Sequence, residues 1–149
     1  MIPSPLDAHL GFWLRFVSNH VSHAFRGKVE AHGVTVAEWV VLRQLLALGD
    51  VAPSRLAAEL GMTRGAISKL VDRLAGKRLV SRTTGNEDRR YQSVALTAAG
   101  RKLVPVLAAL ADRNDAEFFG HLTDDQRAGL TDLLKDIAHR HDLKDVPVE

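Results

Sequence analysis

The sequence contains no cysteine, and this absence excludes several kinds of site. Without thiols the chain can form neither a disulfide framework, nor a thiolate zinc site, nor a cysteine-based redox sensor. It also has no apolar run long enough to span a bilayer, and its start, Met1-Ile2-Pro3-Ser4, lacks the basic and apolar segments of a secretory signal. We therefore expect a cytoplasmic protein that has no membrane partner.

The motifs of common catalytic sites are missing as well. We find no nucleophile elbow, no glycine-rich phosphate loop and no paired-carboxylate arrangement, so we do not expect an enzyme. The chain has seven histidines, including His20 and His23 on one predicted helix and His139 and His141 near the C terminus. Their spacing does not match a His-Glu-x-x-His site, and we expect no bound metal and no cofactor.

The charge is unevenly distributed along the chain. The net charge is only +2, but residues 52–102 contain eleven Lys/Arg and four Asp/Glu, whereas the remainder contains nine and fourteen. A basic middle between acidic ends is typical of a nucleic-acid-binding module on a solvated scaffold. The alternative is that these cations only keep the surface soluble.

The apolar periodicity predicts helices around one core, which 149 residues with 46% hydrophobic content can bury. A first helix is predicted over residues 6–29, and Phe12 and Phe16 widen its apolar stripe. Because a helix with two buried faces usually contacts a partner, Phe12, Trp13 and Phe16 suggest a subunit interface. The sequence Thr35-Val36-Ala37-Glu38 is a capping box that opens a second helix, which extends to about residue 48. That helix is expected to bury Val36, Trp39, Val40, Leu42, Leu45 and Leu46.

Residues 53–74 are predicted to form two helices joined by a glycine turn. Pro53 suits the first position of a third helix, although Ala52 is a poor N-cap, and Gly61 makes the turn. Thr63 caps a fourth helix whose apolar stripe is Ile67, Leu70, Val71 and Leu74. Geometry then fixes the residues on the opposite, exposed face, which are Arg64, Gly65, Ser68, Lys69 and Asp72, with Arg73 at its edge.

A hairpin and two more helices complete the chain. Strands are predicted over residues 79–84 and 91–96, separated by the turn-forming Gly85-Asn86-Glu87. A fifth helix is predicted over residues 97–119, and the capping box Thr123-Asp124-Asp125-Gln126 opens a sixth, with Leu130, Leu133, Leu134 and Ile137 directed inward. The predicted fold class is therefore mainly α with a small β-hairpin wing, a winged helix-turn-helix joined to a helical dimerisation region.

Such a module places one helix in the major groove and a cationic loop over the neighbouring backbone or minor groove. We expect double-stranded DNA as the partner. The candidate contacts are Thr63, Arg64, Gly65, Ser68, Lys69, Arg73, Arg89 and Arg90. Because phosphates would repel a carboxylate, Asp72 is interpreted as a brace for a wing or inter-strand arginine. The alternative is a surface ion pair with Arg73 or Lys69.

The chain resembles the MarR family of transcriptional regulators over roughly residues 6–141. The family's wing signature matches Asp88-Arg89-Arg90 through Leu96-Thr97, and residues 70–74 resemble the end of its recognition helix. The resemblance implies that Arg90 enters the minor groove, that Asp88 orients this arginine, and that the chain binds a pseudo-palindromic operator as a homodimer. It also implies a dimerisation region at residues 1–34 and 98–149 and a DNA-binding lobe at residues 35–97. Ala52 departs from the family, which often has a hydroxyl cap there.

Relatives in this family often release DNA when a small aromatic or phenolic acid binds. The resemblance implies a repressor of this kind, with an activator as the alternative. The ligand pocket would be lined by Trp13, Phe16, His20, Trp39 and Arg43. The alternative for these aromatic residues is ordinary core and interface. Two other functions stay open: a zinc-sensing regulator, which would need the histidines, and a winged-helix protein-interaction module that does not bind DNA.

Overall fold

The structure, a computed structural model, describes residues 1–84 and 92–148, and this part of the chain forms six α-helices and a two-stranded hairpin. After a 3₁₀ turn at Leu6–Ala8, the elements follow in the order α1 (Leu10–Glu30), α2 (Val36–Leu48), α3 (Pro53–Leu60), α4 (Arg64–Gly76), β1 (Val80–Thr84), β2 (Gln92–Leu96), α5 (Ala98–Phe119) and α6 (Asp124–Arg140). The predicted class, mainly α with a small β-hairpin, is confirmed.

Threonine side chains define the starts of four helices. Each of Thr35, Thr63, Thr97 and Thr123 accepts a hydrogen bond from the amide three residues later, at 3.1 Å. Glu38 and Gln126 also reach back to the first amide, which confirms both predicted capping boxes. Ala52 makes no side-chain hydrogen bond to the start of α3, as expected for an alanine at the N-cap.

One apolar core holds α2, α3, α4 and α5 together with the base of the hairpin. Its largest fully buried side chains include Leu42, Leu45, Leu56, Ile67, Leu74 and Leu107. Burying one such side chain contributes about 1.5–3 kcal/mol. The turn between α3 and α4 depends on Gly61, whose φ of +65° is a left-handed conformation that glycine adopts without strain.

The hairpin is antiparallel, with Val80 opposite Leu96 and Thr84 opposite Gln92. Val94 also exchanges two backbone hydrogen bonds with Val51, at 3.1 and 2.8 Å, in the connection between α2 and α3. This bridge fastens the hairpin base to the helix-turn-helix, and the sequence pattern did not predict it.

Two predictions of burial are wrong. Leu46 is 44% exposed, and the buried positions on α2 include Glu38 and Val41 instead. The apolar residues of α6 are exposed rather than directed into the core, by 41% for Leu130, 64% for Leu133, 44% for Leu134 and 41% for Ile137. The reason is that α6 lies outside the core, where its apolar face and that of α1 line an open groove.

In the part of the chain that the structure describes, no helix combines the length and the apolar character that crossing a membrane requires.

Candidate nucleic-acid interface

The outer face of α4 carries the side chains that the sequence assigns to DNA. Arg64, Gly65, Ser68, Lys69, Asp72 and Arg73 are all exposed. The other side of the same helix is buried, with Ile67 and Leu74 at 0% exposure. Because α4 is fixed by its apolar side, its polar face is held outward on a rigid support.

The start of α4 adds hydrogen-bonding groups to this face. Thr63 is exposed and its hydroxyl oxygen accepts from the amide of Ala66, which leaves the hydroxyl proton able to donate. The first amides of a helix carry partial positive charge, and this favours phosphate near them. A β-carbon built at Gly65 would have the Thr63 hydroxyl oxygen, at 4.0 Å, as its nearest neighbour outside the adjoining chain, so a nucleic-acid backbone could approach closely there.

A groove of about 430 Å³ adjoins the face of α4, and it is lined by Ala52, Pro53, Ser54, Arg64, Ser68 and Gln92. Sequence reasoning missed Ser54 and Gln92, because both are uncharged and neither lies on the predicted outer face of α4. They join the site only because packing brings the start of α3 and the first residue of β2 beside α4.

An ion pair connects α4 to the hairpin. The guanidinium group of Arg82 on β1 lies against the carboxylate of Asp72, and its Nη2 lies 3.5 Å from the carbonyl oxygen of Ser68. The two side chains are 39% and 61% exposed. Exposed pairs contribute only about 0–1 kcal/mol to stability. The consequence of this contact is therefore the position of the arginine, which is held beside the face of α4.

The predicted wing contacts fall on residues outside the described part. Arg89, Arg90 and Asp88 belong to the segment between β1 and β2, and their roles stay predictions. The structure does fix where this segment starts and ends, since Thr84 pairs with Gln92 and Gln92 lines the groove.

A buried carboxylate anchors the far end of α4. Glu38 has no exposed surface, and its Oε1 accepts from the ammonium group of Lys77 and from the amide of Thr35, both at 2.9 Å. Lys77 also donates to the carbonyl of Gly33 at 2.8 Å. Burial by itself would raise the pKa of Glu38, but the bonds from Lys77 and Thr35 outweigh it and lower the pKa below 4.5. These contacts join α4 to the turn between α1 and α2.

The five residues of the predicted ligand pocket do not line one cavity within a single chain. Trp39 packs edge-to-face on Phe25, with ring centroids 6.4 Å apart, in a cleft of about 210 Å³ between α1 and α2. Phe16 and His20 have centroids 4.9 Å apart and line a second cavity of about 300 Å³. Trp13 lines the apolar groove between α1 and α6. Arg43 is exposed on α2, one turn beyond Trp39.

No group of three or more His, Asp or Glu side chains that could hold a metal ion occurs among residues 1–84 and 92–148.

Comparison with known proteins gives consistent results. A model described as the MarR family matches residues 32–90. A Thauera aromatica protein described as a putative transcriptional regulatory protein for the hcr operon is 28% identical over 136 residues, which cover 91% of this chain and 82% of that protein.

Two solved structures are also similar over most of the chain. A mutant MarR from E. coli complexed with operator DNA is 26% identical with a TM-score of 0.75, covering 86% of this chain and 92% of that chain. CouR from Rhodococcus jostii bound to p-coumaroyl-CoA is 29% identical with a TM-score of 0.76, covering 91% and 96%.

Proposed function

The chain belongs to the MarR family and is a transcriptional regulator, and from this premise we propose that it is a repressor whose homodimer binds a pseudo-palindromic operator in the cytoplasm. The family and fold are those of a DNA-binding regulator, and the proposal includes no catalytic activity. The division into a dimerisation region at residues 1–34 and 98–149 and a DNA-binding lobe at residues 35–97 is part of it.

The observation that carries the proposal is the continuous polar surface formed by α4 and the neighbouring groove. Arg64 belongs to both, and its guanidinium can donate two parallel hydrogen bonds to guanine O6 and N7 or to a phosphate. The side chains of Ser54 and Gln92 line the same groove, where they can donate hydrogen bonds to the DNA phosphate backbone. The related MarR structure with operator DNA supports assigning this surface to DNA.

Fluorescence anisotropy with the DNA upstream of the chain's own gene, and with a scrambled duplex, tests the proposal. Arg64→Ala and Arg90→Ala should each weaken binding to the upstream DNA by about 1–3 kcal/mol. The matched control is Arg140→Ala, because Arg140 is an exposed arginine on α6 that pairs with Asp136.

The salt dependence of the affinities in the same titrations is a second test of DNA binding. Each phosphate contact that is lost should reduce the slope of log affinity against log salt by about 0.9. If the affinities for the two duplexes are equal and do not change with salt concentration, the proposal of sequence-specific DNA binding is contradicted. That result would favour the alternative in which the winged helix binds a protein.

The homodimer is proposed from the apolar groove between α1 and α6. Leu10, Leu14 and Val17 on α1 are 71%, 43% and 42% exposed, and they stand near the exposed leucines of α6. A contiguous apolar surface of this kind is typical of an interface. A second copy supplies a complementary surface by two-fold symmetry, and it would place two recognition helices about one DNA turn apart.

An aromatic or phenolic acid is proposed as the effector, and the cleft beside Trp39 is its proposed site. A planar ring can stack on the indole of Trp39, which lines the cleft. Arg43 does not line the cleft, but it is exposed four residues later on the same helix and is the proposed partner of the ligand's carboxylate. The related CouR binds p-coumaroyl-CoA, which is the thioester of a phenolic acid. Trp13, Phe16 and His20 stay candidates for the neighbouring cavities.

Titrations of chelator-treated protein bound to its operator test the effector. Salicylate and related acids should release the DNA from the parent protein, and Trp39→Leu should abolish this response. If zinc switches binding instead, every acid is without effect and His20→Ala removes the response, the protein is a zinc sensor and the aromatic-acid proposal is wrong.

A further inference from the structure

The segment after α6 turns back toward the DNA-binding lobe. Asp142 has a φ of +52°, and the amide of Leu143 donates to the carbonyl of Ala138 at 2.9 Å. A left-handed residue followed by a hydrogen bond of this span is a Schellman-type helix end. It fixes the direction in which residues 144–148 leave α6.

The first contact of this segment is with the turn of the helix-turn-helix. A β-carbon at Gly61 would lie 2.8 Å from Oδ1 of Asp145 and 3.1 Å from its Cα, so the two backbones are in close contact. The amide of Val146 also donates to the carbonyl of Leu60 at 3.4 Å. The segment therefore satisfies one of the carbonyl groups that the end of α3 leaves without a helical partner.

The second contact is with the cleft between α1 and α2. Pro147 is part of the wall of this cleft, together with Phe25 and Trp39. A proline ring has little conformational freedom to lose when it packs on an aromatic surface. One short segment thus contacts both the turn that precedes α4 and the cleft beside Trp39.

These contacts are weak enough to break. The hydrogen bond from Val146 is long, and residues 144–147 are exposed. Segments with few buried contacts open at a small fraction of the free energy of global unfolding.

We propose that residues 144–148 form a strap that covers the cleft beside Trp39 and links α6 to the turn at Gly61. An aromatic acid that enters the cleft displaces Pro147 and thereby releases this link. The displacement rests on the proposed effector site, whereas the covering of Trp39 does not. With Pro147 in its wall the cleft holds about 210 Å³, which is smaller than the roughly 300–1,000 Å³ of an ordinary ligand site. The strap and the ligand therefore compete for this space, and removing the strap strengthens ligand binding.

Acrylamide quenching of Trp39 tests the covering directly. The chain has two tryptophans and one tyrosine, so Trp13→Phe leaves Trp39 as the only tryptophan, and excitation at the long-wavelength edge of its absorption selects it over Tyr91. In that background we compare the full chain with one ended after Leu143, which keeps the helix-ending bond to Ala138. The quenching constant of Trp39 should rise about twofold when the strap is removed.

Pro147→Gly in the full-length chain keeps every other strap residue and should also increase quenching. Its matched control is Pro3→Gly, at an exposed proline near the other terminus, which should leave quenching unchanged. Thermal unfolding identifies any form that fails to fold. Equal quenching of Trp39 in the parent, the shortened chain and Pro147→Gly, all folded, overturns the strap.

Calorimetric titration with salicylate separates the strap from the effector proposal. Salicylate should bind the shortened chain about threefold or more tightly than the full chain, since no strap competes. Equal affinities overturn the displacement. If salicylate binds neither form, the effector proposal fails, and the acrylamide comparison alone decides whether the strap exists.

Discussion

Gly100 on α5 lies so close to Leu79 that a β-carbon at position 100 would overlap the carbonyl oxygen of Leu79. The same junction includes the hydroxyl of Thr97, which donates to the carbonyl of Arg78 at 2.7 Å, and the amide of Thr97, which donates to Leu79 at 3.1 Å. This close approach sets the hairpin base directly against the first turn of α5. The position of the hairpin base relative to α5 therefore depends on the absence of a side chain at position 100.

Gly100→Ala should destabilise the protein by about 2–3 kcal/mol, because the obstacle is backbone and cannot rotate away. Gly27→Ala is the matched control, since Gly27 is also inside a helix but a β-carbon there would meet no other atom within 4 Å. That substitution should be neutral or stabilise by up to about 1 kcal/mol. Urea denaturation measures both. Equal effects of the two substitutions would show that Gly100 and the carbonyl oxygen of Leu79 are not in close contact.

Glu38 should make stability depend on pH in the acid range. Its pKa in the folded protein is lowered below the ordinary 4.5, so the carboxylate stabilises the fold fully above that pH. The contribution is lost as the pH falls through the ordinary value toward the folded one. Glu38→Gln should therefore be less stable than the parent near neutral pH, and the difference should shrink on acidification.

The control for this measurement is Glu117→Gln. Glu117 also lies 2.9 Å from a lysine ammonium group, that of Lys28, but it is 50% exposed. An exposed pair contributes about 0–1 kcal/mol, so the effect of this substitution should be small at every pH. Urea midpoints between about pH 3 and 7 give the comparison. If the stability lost in Glu38→Gln stays constant with pH, ionisation of the Glu38 carboxylate is not the cause of that loss.

Asp72→Ala should weaken operator binding by about 1 kcal/mol or more, although it removes a negative charge from a DNA-binding surface. The reason is that Arg82 loses the partner that holds it beside α4. Binding to unrelated DNA should stay equal or become tighter, because that binding depends on total charge.

Glu59→Ala is the control, since Glu59 is another exposed acid of the basic region and its pair with Arg55 is 4.0 Å long. It should tighten binding to both duplexes. Anisotropy titrations with operator and scrambled DNA distinguish the two cases. If Asp72→Ala behaves like Glu59→Ala, Asp72 has no positioning role.

Leu134→Glu should convert the proposed dimer to a monomer. A carboxylate in the groove between α1 and α6 would lose its hydration on dimerisation, and a loss of about 2 kcal/mol or more is expected for a central interface position. Leu46→Glu on α2 is closely matched, because Leu46 and Leu134 are both 44% exposed. Multi-angle light scattering should give a monomer mass for the first variant and a dimer mass for the second. A parent protein that is monomeric at micromolar concentration would contradict the dimer itself.

The sequence by itself determined the elements of this protein and the polarity of each face. Caps such as Thr35 and Thr63 act within one turn of chain, and the stripe from Ile67 to Leu74 fixes the opposite face of α4 by helical geometry alone. These interactions are local, so their residue spacing predicts them directly. The same reasoning failed for α6, since an apolar stripe shows that a face needs a partner but not where the partner is.

Only the tertiary structure decided which distant residues meet. Ser54 and Gln92 join Arg64 in one groove, Lys77 reaches the buried Glu38, and Trp39 lies apart from Phe16 and His20. None of these relationships follows from spacing along the chain, because each depends on how two or three helices pack against one another. Packing selects such contacts through shape and buried area summed over the whole core, which single positions do not reveal.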